Sequence, residues 1–211
     1  MKKMIYLPTM ILTFVSVFSV YAADDALKMN PTGEKQQMQP GKENGDQTNL
    51  QSMTQQVIKK QARVVLKPTK KDSSVQGEGS VLELNDGTYF MLFLDGVPKA
   101  GKHGIHVYEN GSCEDNGNAA GGHYNPDGVK HGDFKKDGPS AAHVGDLGNI
   151  VIDENGKGEL HRLLSGVTIE GGKYNVAGRA IILDENEDDF QQPPGNAGEK
   201  IGCGVIELLN K

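Results

Sequence analysis

From Ala62 onward the chain alternates apolar and polar residues over short runs, and each run ends in turn-forming residues. ARVVLKP, GSVLEL, YFMLFL, GIHVYE, NIVID, GELHRL, NVAGRAIIL and GVIELL each read as a strand. LNDGT and DENGKG separate some of them, and Asp-Gly and Asn-Gly steps of this kind turn hairpins. Ser80 beside Val81, and Glu83 beside Leu84, switch sides residue by residue, as a half-buried strand requires. About eight strands in about 150 residues predict an all-β fold, an eight-stranded Greek-key barrel or sandwich.

The pattern upstream is different. MKKMIYLPTMILTFVSVFSVYAADDA opens on Lys2 and Lys3, continues as an apolar run to Val20, and offers Val20-Tyr21-Ala22 as a cleavage step. This predicts a secretory signal over residues 1–22, with the mature chain starting at Ala23. A membrane anchor is the alternative, but Pro8 leaves an uninterrupted run short of the roughly 20 residues of a bilayer span. Residues 23–60 are rich in Gln, Lys, Asn, Asp, Gly and Met and lack aliphatic clusters. Such a segment buries too little surface to offset its ordering entropy and predicts a disordered polar linker. Within it, Leu50–Gln61 lacks Gly and Pro, which suits a short helix, and Met29, Met38 and Met53 are loosely spaced thioethers. The folded domain is predicted over residues 61–211.

One stretch interrupts the strand pattern: GGHYNPDGVKHGDFKKDGPSAAHVGDLGN, too rich in Gly, Pro and Asp for a helix. It carries three of the chain's six histidines, His123, His131 and His143, together with Asp146. Three imidazoles and a carboxylate make a complete four-coordinate set for zinc, and a metal is a good reason for a long loop to be ordered. A solvated loop with scattered histidines is the alternative.

The flanking motifs favour the metal. HGIHVYE, GGHYNP, the KHG step at His131, HVGDLGN, GRAIIL and GCGVIEL, in that order, closely resemble the Cu/Zn superoxide dismutase family from about Gln61 to the C-terminus. The resemblance implies a Greek-key barrel with long metal-binding loops and a closed structural zinc site at His123, His131, His143 and Asp146. His143 comes a few residues later than the family pattern, after FKKDGPSAA, which changes the loop but keeps the ligand set. Asp188 matches an aspartate that links a copper-side histidine to a zinc-side one, here His106 to His131. His103 matches a structural histidine. His161 reads as a solvent-facing strand residue with no partner in the sequence.

The resemblance also marks a departure. Family members hold copper with four histidines: two from an H-V-H strand, the bridging one of the zinc loop, and one after the G-R strand. Here those positions are His106, Tyr108, His123 and Asp184. A phenol and a carboxylate are harder ligands that disfavour Cu(I), and a phenol near its usual pKa of about 10 is a poor ligand at neutral pH. A degraded copper site is therefore expected, with zinc as the retained metal. Asp184-Glu185-Asn186-Glu187-Asp188-Asp189 places five carboxylates in six positions beside it, although several could point into solvent. The family's anion-guiding arginine aligns with Lys200, which keeps the charge and loses the planar fork. No catalytic residue is assigned. Two further readings stay open: a dismutase or other oxidoreductase using the altered His106, His123, Asp184 and Tyr108 set, and an envelope module for metal buffering or partner contact.

Cys113 and Cys203 are the only cysteines, and in an exported chain a disulfide is the default. The resemblance pairs them, tying the loop after the copper-side strand to the last strand. A periplasmic or secreted location follows from the signal. The net charge of −6 argues against nucleic acid and anionic membrane surfaces. The family includes monomers and dimers, so a homodimer is open, and no protein partner is identified.

Overall fold

Strand alternation decides which side chains meet in the middle of the molecule. The computed structural model describes residues 57–192 and 194–209. In β1 (Lys60–Pro68), Ala62, Val64 and Leu66 are buried while Arg63, Val65 and Lys67 face out. In β3 (Gly87–Asp95), Phe90, Leu92 and Leu94 point inward. Between them β2 (Gln76–Glu83) presents Gly77 and Gly79, where any side chain would collide with Leu94 and Leu92. Small residues on one strand thus make room for large ones on the next.

The remaining strands are β4 (Gly101–Val107), β5 (Asp146–Ile152), β6 (Gly158–Ser165), β7 (Ala180–Asp184), β8 (Lys200–Val205) and β9 (Glu207–Leu208). Their spatial order is β2-β3-β6-β5-β4-β7-β8-β1, and β1 pairs back with β2. This is a closed eight-stranded antiparallel barrel, the all-β class expected from the strand pattern, with β9 added as an extra strand against Ala62 and Arg63. Closure leaves few free sheet edges.

β7 breaks the alternation, because Ala180, Ile181, Ile182, Leu183 and Asp184 are all buried. Ile181 and Leu183 join the barrel core, whereas Ala180 and Ile182 pack outward against Tyr108, Ala120 and Cys203. The connection from β4 to β5 covers that outer side. It folds back along β4: Tyr124 N–H donates to the Val107 carbonyl at 2.8 Å, and Val107 N–H donates to that of Gly145 at 2.9 Å. Cys113 and Cys203 form a disulfide that ties this connection to β8 across a sequence separation of 90.

Several sequence expectations need correction. The helix over Leu50–Gln61 is absent from its described end, because Lys60 and Gln61 pair with Glu83 and Leu82 in the sheet. Tertiary pairing overrides local propensity there. The strand read from Asn175 begins at Ala180, since Gly178 turns at φ 75°. GVIELL splits into β8 and β9 around Ile206, whose N–H bonds to the Arg179 carbonyl at 2.9 Å instead of continuing the ladder. Glu83 lies on the buried side of β2, where its Oε2 accepts the Ile169 N–H at 2.7 Å. His161 does have partners: Tyr89 donates its hydroxyl to Nδ1 at 2.7 Å, and Glu159 contacts Nε2. The signal, nearly all of the 23–60 linker, and Met29, Met38 and Met53 lie outside the described residues. Among the described residues no helix is long and apolar enough to cross a membrane.

The disulfide closes a long loop, so its removal should cost about 3–5 kcal/mol in the chain-entropy account. A Cys113→Ser/Cys203→Ser variant should therefore unfold at clearly lower urea than the parent protein. Coincident unfolding curves would contradict this.

Candidate metal centre

The barrel's inside–outside parity places the site. Ile105 and Val107 belong to the core, so His106 and Tyr108 point to the other side of β4. Ile181 and Leu183 are in the core, so Asp184 points outward with Ile182, which pairs with His106. The β4–β5 connection brings His123 in by a bridge to Tyr108. It brings His131 and His143 in on either side of a one-turn helix, α1 (Phe134–Asp137), capped by Asp133 accepting Lys135 N–H at 3.1 Å. Asp146 opens β5, so barrel and site share one stretch of backbone.

Asp146 is the centre of the zinc-side group. Its Oδ1 lies 3.1, 3.0 and 3.2 Å from Nδ1 of His123, His131 and His143. Its Oδ2 accepts N–H groups from Gly132 at 3.1 Å and His143 at 3.0 Å. Burial alone would raise this carboxyl, but the three imidazoles outweigh it and hold it far below the usual carboxylate range. Nδ1 of His131 and of His143 are buried and have no hydrogen-bond partner. Three nitrogens turned on one oxygen, two of them orphaned, ask for a cation between them. A tetrahedral ion with arms of about 2.0–2.2 Å needs ligand atoms about 3.3–3.6 Å apart, close to the separations here. The four side chains fit zinc.

A second group adjoins the first through Asp188. His131 Nε2 bonds Asp188 Oδ1 at 2.8 Å; burial lowers the His131 pKa, Asp146 and Asp188 push it up to about 9, and a metal at Nδ1 would displace that proton. His106 Nε2 donates to Asp188 Oδ2 at 2.9 Å, and His106 Nδ1 donates to Asp184 Oδ2 at 2.8 Å. Burial lowers the His106 pKa by itself, but Asp184 and Asp188 push it up to about 9, which favours a ring protonated at both nitrogens. Asp184 is raised by burial, with the nearby charge of Asp188 adding to it, against the pull of His106 and Lys200; Asp188 instead has two histidines and the Phe190 N–H and is lowered. Burial, then the negative charge of Asp184, pushes the Tyr108 hydroxyl up, so it stays a neutral phenol. The His106 and His123 rings stack at 4.0 Å, and Tyr108 meets His123 edge-on at 5.0 Å. Lys200 Nζ sits 4.8 Å from the centre of the Tyr108 ring.

Every site residue read from the sequence thus falls in one region, with His103 beside it. His103 lies within hydrogen-bonding distance of two carbonyls, those of Asp184 at 2.9 Å and Lys99 at 2.8 Å. The acidic run divides: Asp184 and Asp188 are buried in the site, whereas Glu185, Glu187 and Asp189 are exposed. Asn149 was not singled out beforehand. It brackets Asp188, accepting its N–H at 2.8 Å and donating to its carbonyl at 2.9 Å. Its place in HVGDLGN, three residues after Asp146, was the available signal. Gln192 Nε2 holds the His131 carbonyl at 2.9 Å.

The sequence model of copper/zinc superoxide dismutase (SODC) matches residues 75–206, and the chain belongs to that family. A superoxide dismutase [Cu-Zn] of Aquifex aeolicus is 35% identical over 141 residues, covering 64% of this chain and 81% of that one. The human copper chaperone for superoxide dismutase is 37% identical over 122 residues, 54% of this chain and 41% of that protein. Further relatives are named extracellular superoxide dismutases. Among solved structures, the clock protein EA4 superposes with a TM-score of 0.62 at 31% identity, covering 71% of this chain and 95% of that one.

Gly195 has φ 62°, and a side chain there would run into Asp188 and His131. Gly195→Ala should cost about 1–3 kcal/mol through strain and overpacking, read as a lower urea midpoint. An unchanged midpoint would show that the Asp188 region yields more easily than its packing implies.

Proposed function

We propose that this chain is an exported, zinc-holding member of the copper/zinc superoxide dismutase family that does not work as a copper dismutase. The observation that carries this reading is the Asp184–His106 pair. The His106 nitrogen on the copper side of the ring is already engaged by a buried carboxylate at 2.8 Å. Copper at His106 would have to displace that carboxylate or recruit it. The remaining candidates are His123, which is shared with the zinc-side group, and Tyr108, whose raised pKa keeps it a protonated phenol. These residues do not fit the four-imidazole copper set, and no redox step is derived through them.

Access and charge support the same reading. His106, Tyr108 and Asp184 are 0%, 5% and 2% exposed, so these side chains meet little solvent. Lys200 faces the Tyr108 ring, and the segment after Asp184 carries exposed Glu185, Glu187 and Asp189, of which Glu187 is paired with Lys102; this gives superoxide little net positive charge to steer it. Zinc, when bound, supplies a fixed charge that clamps the loop to the barrel, because a site with four protein ligands has no open position for substrate. The disulfide and the signal-like start of the chain support a periplasmic or secreted location.

One observation favours a second reading. His106, His123, Tyr108 and Asp184 do adjoin one another, as an altered oxidoreductase site would need. A role in metal handling or partner contact is a third, since one relative is named a copper chaperone for superoxide dismutase.

Mature protein loaded with both metals and desalted should retain about one zinc per chain and little copper, and should consume superoxide no faster than buffer. A chelator in excess should lower its melting temperature. Tyr108→His with Asp184→His should raise copper retention, because both hard ligands are then replaced by imidazoles. Near-stoichiometric copper with dismutase activity in the parent protein, abolished by His106→Ala, would establish the second reading instead.

A further inference from the structure

We propose that Asp184, standing where the family places a copper ligand, is a positioning residue for zinc, holding His131 in line through His106 and Asp188. The proposal rests on the zinc reading above and extends it to a residue that touches no zinc ligand. The buried chain is continuous. Asp184 Oδ2 is hydrogen-bonded to His106 Nδ1 at 2.8 Å, and His106 Nε2 to Asp188 Oδ2 at 2.9 Å. Asp188 Oδ1 accepts from His131 Nε2 at 2.8 Å, and His131 Nδ1 faces Asp146 Oδ1 at 3.0 Å. Each link fixes the plane of the next ring or carboxylate, because an imidazole bonded at both nitrogens cannot turn without breaking one bond.

Both ends of the chain are tied to the barrel. Asp184 sits at the register shift that ends β7, and its carbonyl lies 2.9 Å from His103 Nδ1, whose other nitrogen is 2.8 Å from the Lys99 carbonyl. Asp146 begins β5. The middle has no slack. A side chain at Gly104 would come within 3.0 Å of the His106 ring, 3.1 Å of Ala197 and 3.3 Å of Asp188. Without the Asp184 carboxylate, His106 Nδ1 would be buried without a partner, and the ring would gain freedom to tilt away from Asp188. Asp188 keeps independent anchors in Asn149 and Phe190, so the loss should be graded.

The test measures zinc affinity by competition with a chromophoric chelator, and the visible spectrum with cobalt(II) in place of zinc. Outer partners of metal-bound histidines typically contribute 10–100-fold in affinity. Asp188→Asn should fall in that range. Asp184→Ala should weaken zinc by about 10-fold, the lower end, and shift the cobalt bands, because His131 is reoriented. Asp184→Asn keeps an oxygen that accepts from His106 and should restore both readouts to within about threefold of the parent. Asp184→Ser, with a hydroxyl too short to reach Nδ1, should behave like Asp184→Ala and replaces it if that variant does not fold. Loss of stability alone would lower the melting temperature and leave the cobalt bands in place. Parent-like zinc affinity and cobalt spectrum in Asp184→Ala or Asp184→Ser would overturn the positioning role while leaving the zinc reading intact. A parent protein that binds no zinc would overturn both.

Discussion

Three imidazole nitrogens converge on one buried carboxylate oxygen, and the outer half of the molecule is organised by that convergence. Asp146 Oδ1 lies within 3.0–3.2 Å of all three Nδ1 atoms. A buried carboxylate ringed by imidazoles calls for compensating positive charge, which protonated rings or a bound cation supply. The requirement reaches far along the chain. His123 must return to β4, His131 and His143 must flank α1, and Asp146 must open a barrel strand. The disulfide and the backbone bonds to Val107 secure the same loop by covalent and main-chain means.

The two halves of the region differ in how their polar groups are satisfied. Around Asp146, the buried Nδ1 atoms of His131 and His143 have no hydrogen-bond partner, and these are the donors on which the zinc proposal rests. On the other side every nitrogen of His106 is matched by a carboxylate of the chain itself. Tyr108 and Asp184 each have a structural role in this region. The carboxylate supplies the partner that a metal would otherwise have been, and the phenol fills space with Ala120, Ala180 and Ile182 under the covering loop. His106 held between two carboxylates is a closed unit, and Asp188 joins it to His131.

Much of this was legible in the sequence, for identifiable reasons. Short apolar runs bounded by turn residues marked the barrel strands; alternation showed where one face is buried, as in β1, while β7, buried throughout, carried only the run. The ligand types and their order pointed to the site, since donor chemistry is carried by residue identity. What could not be read were features set by contact across the fold. Glu83 and Leu84 alternate as expected, yet the glutamate faces inward, because a backbone N–H from Ile169 waits there. The start of β7 is decided by a glycine turn and the strand beside it. That Asp184 would bond His106 rather than solvent depended on the pairing of β4 with β7, which no spacing in the chain encodes. His161 found Tyr89 and Glu159 on neighbouring positions of the same sheet face for the same reason.

The account turns on where metal sits when both are offered. Crystals of the mature protein grown with copper and zinc, with anomalous diffraction recorded at both absorption edges, measure this directly. The account predicts a single zinc peak bounded by Nδ1 of His123, His131 and His143 and by Asp146, with the Asp184–His106 bond intact and no copper peak beside it. A copper peak at His106, with Asp184 turned away or bound to the metal, would contradict it.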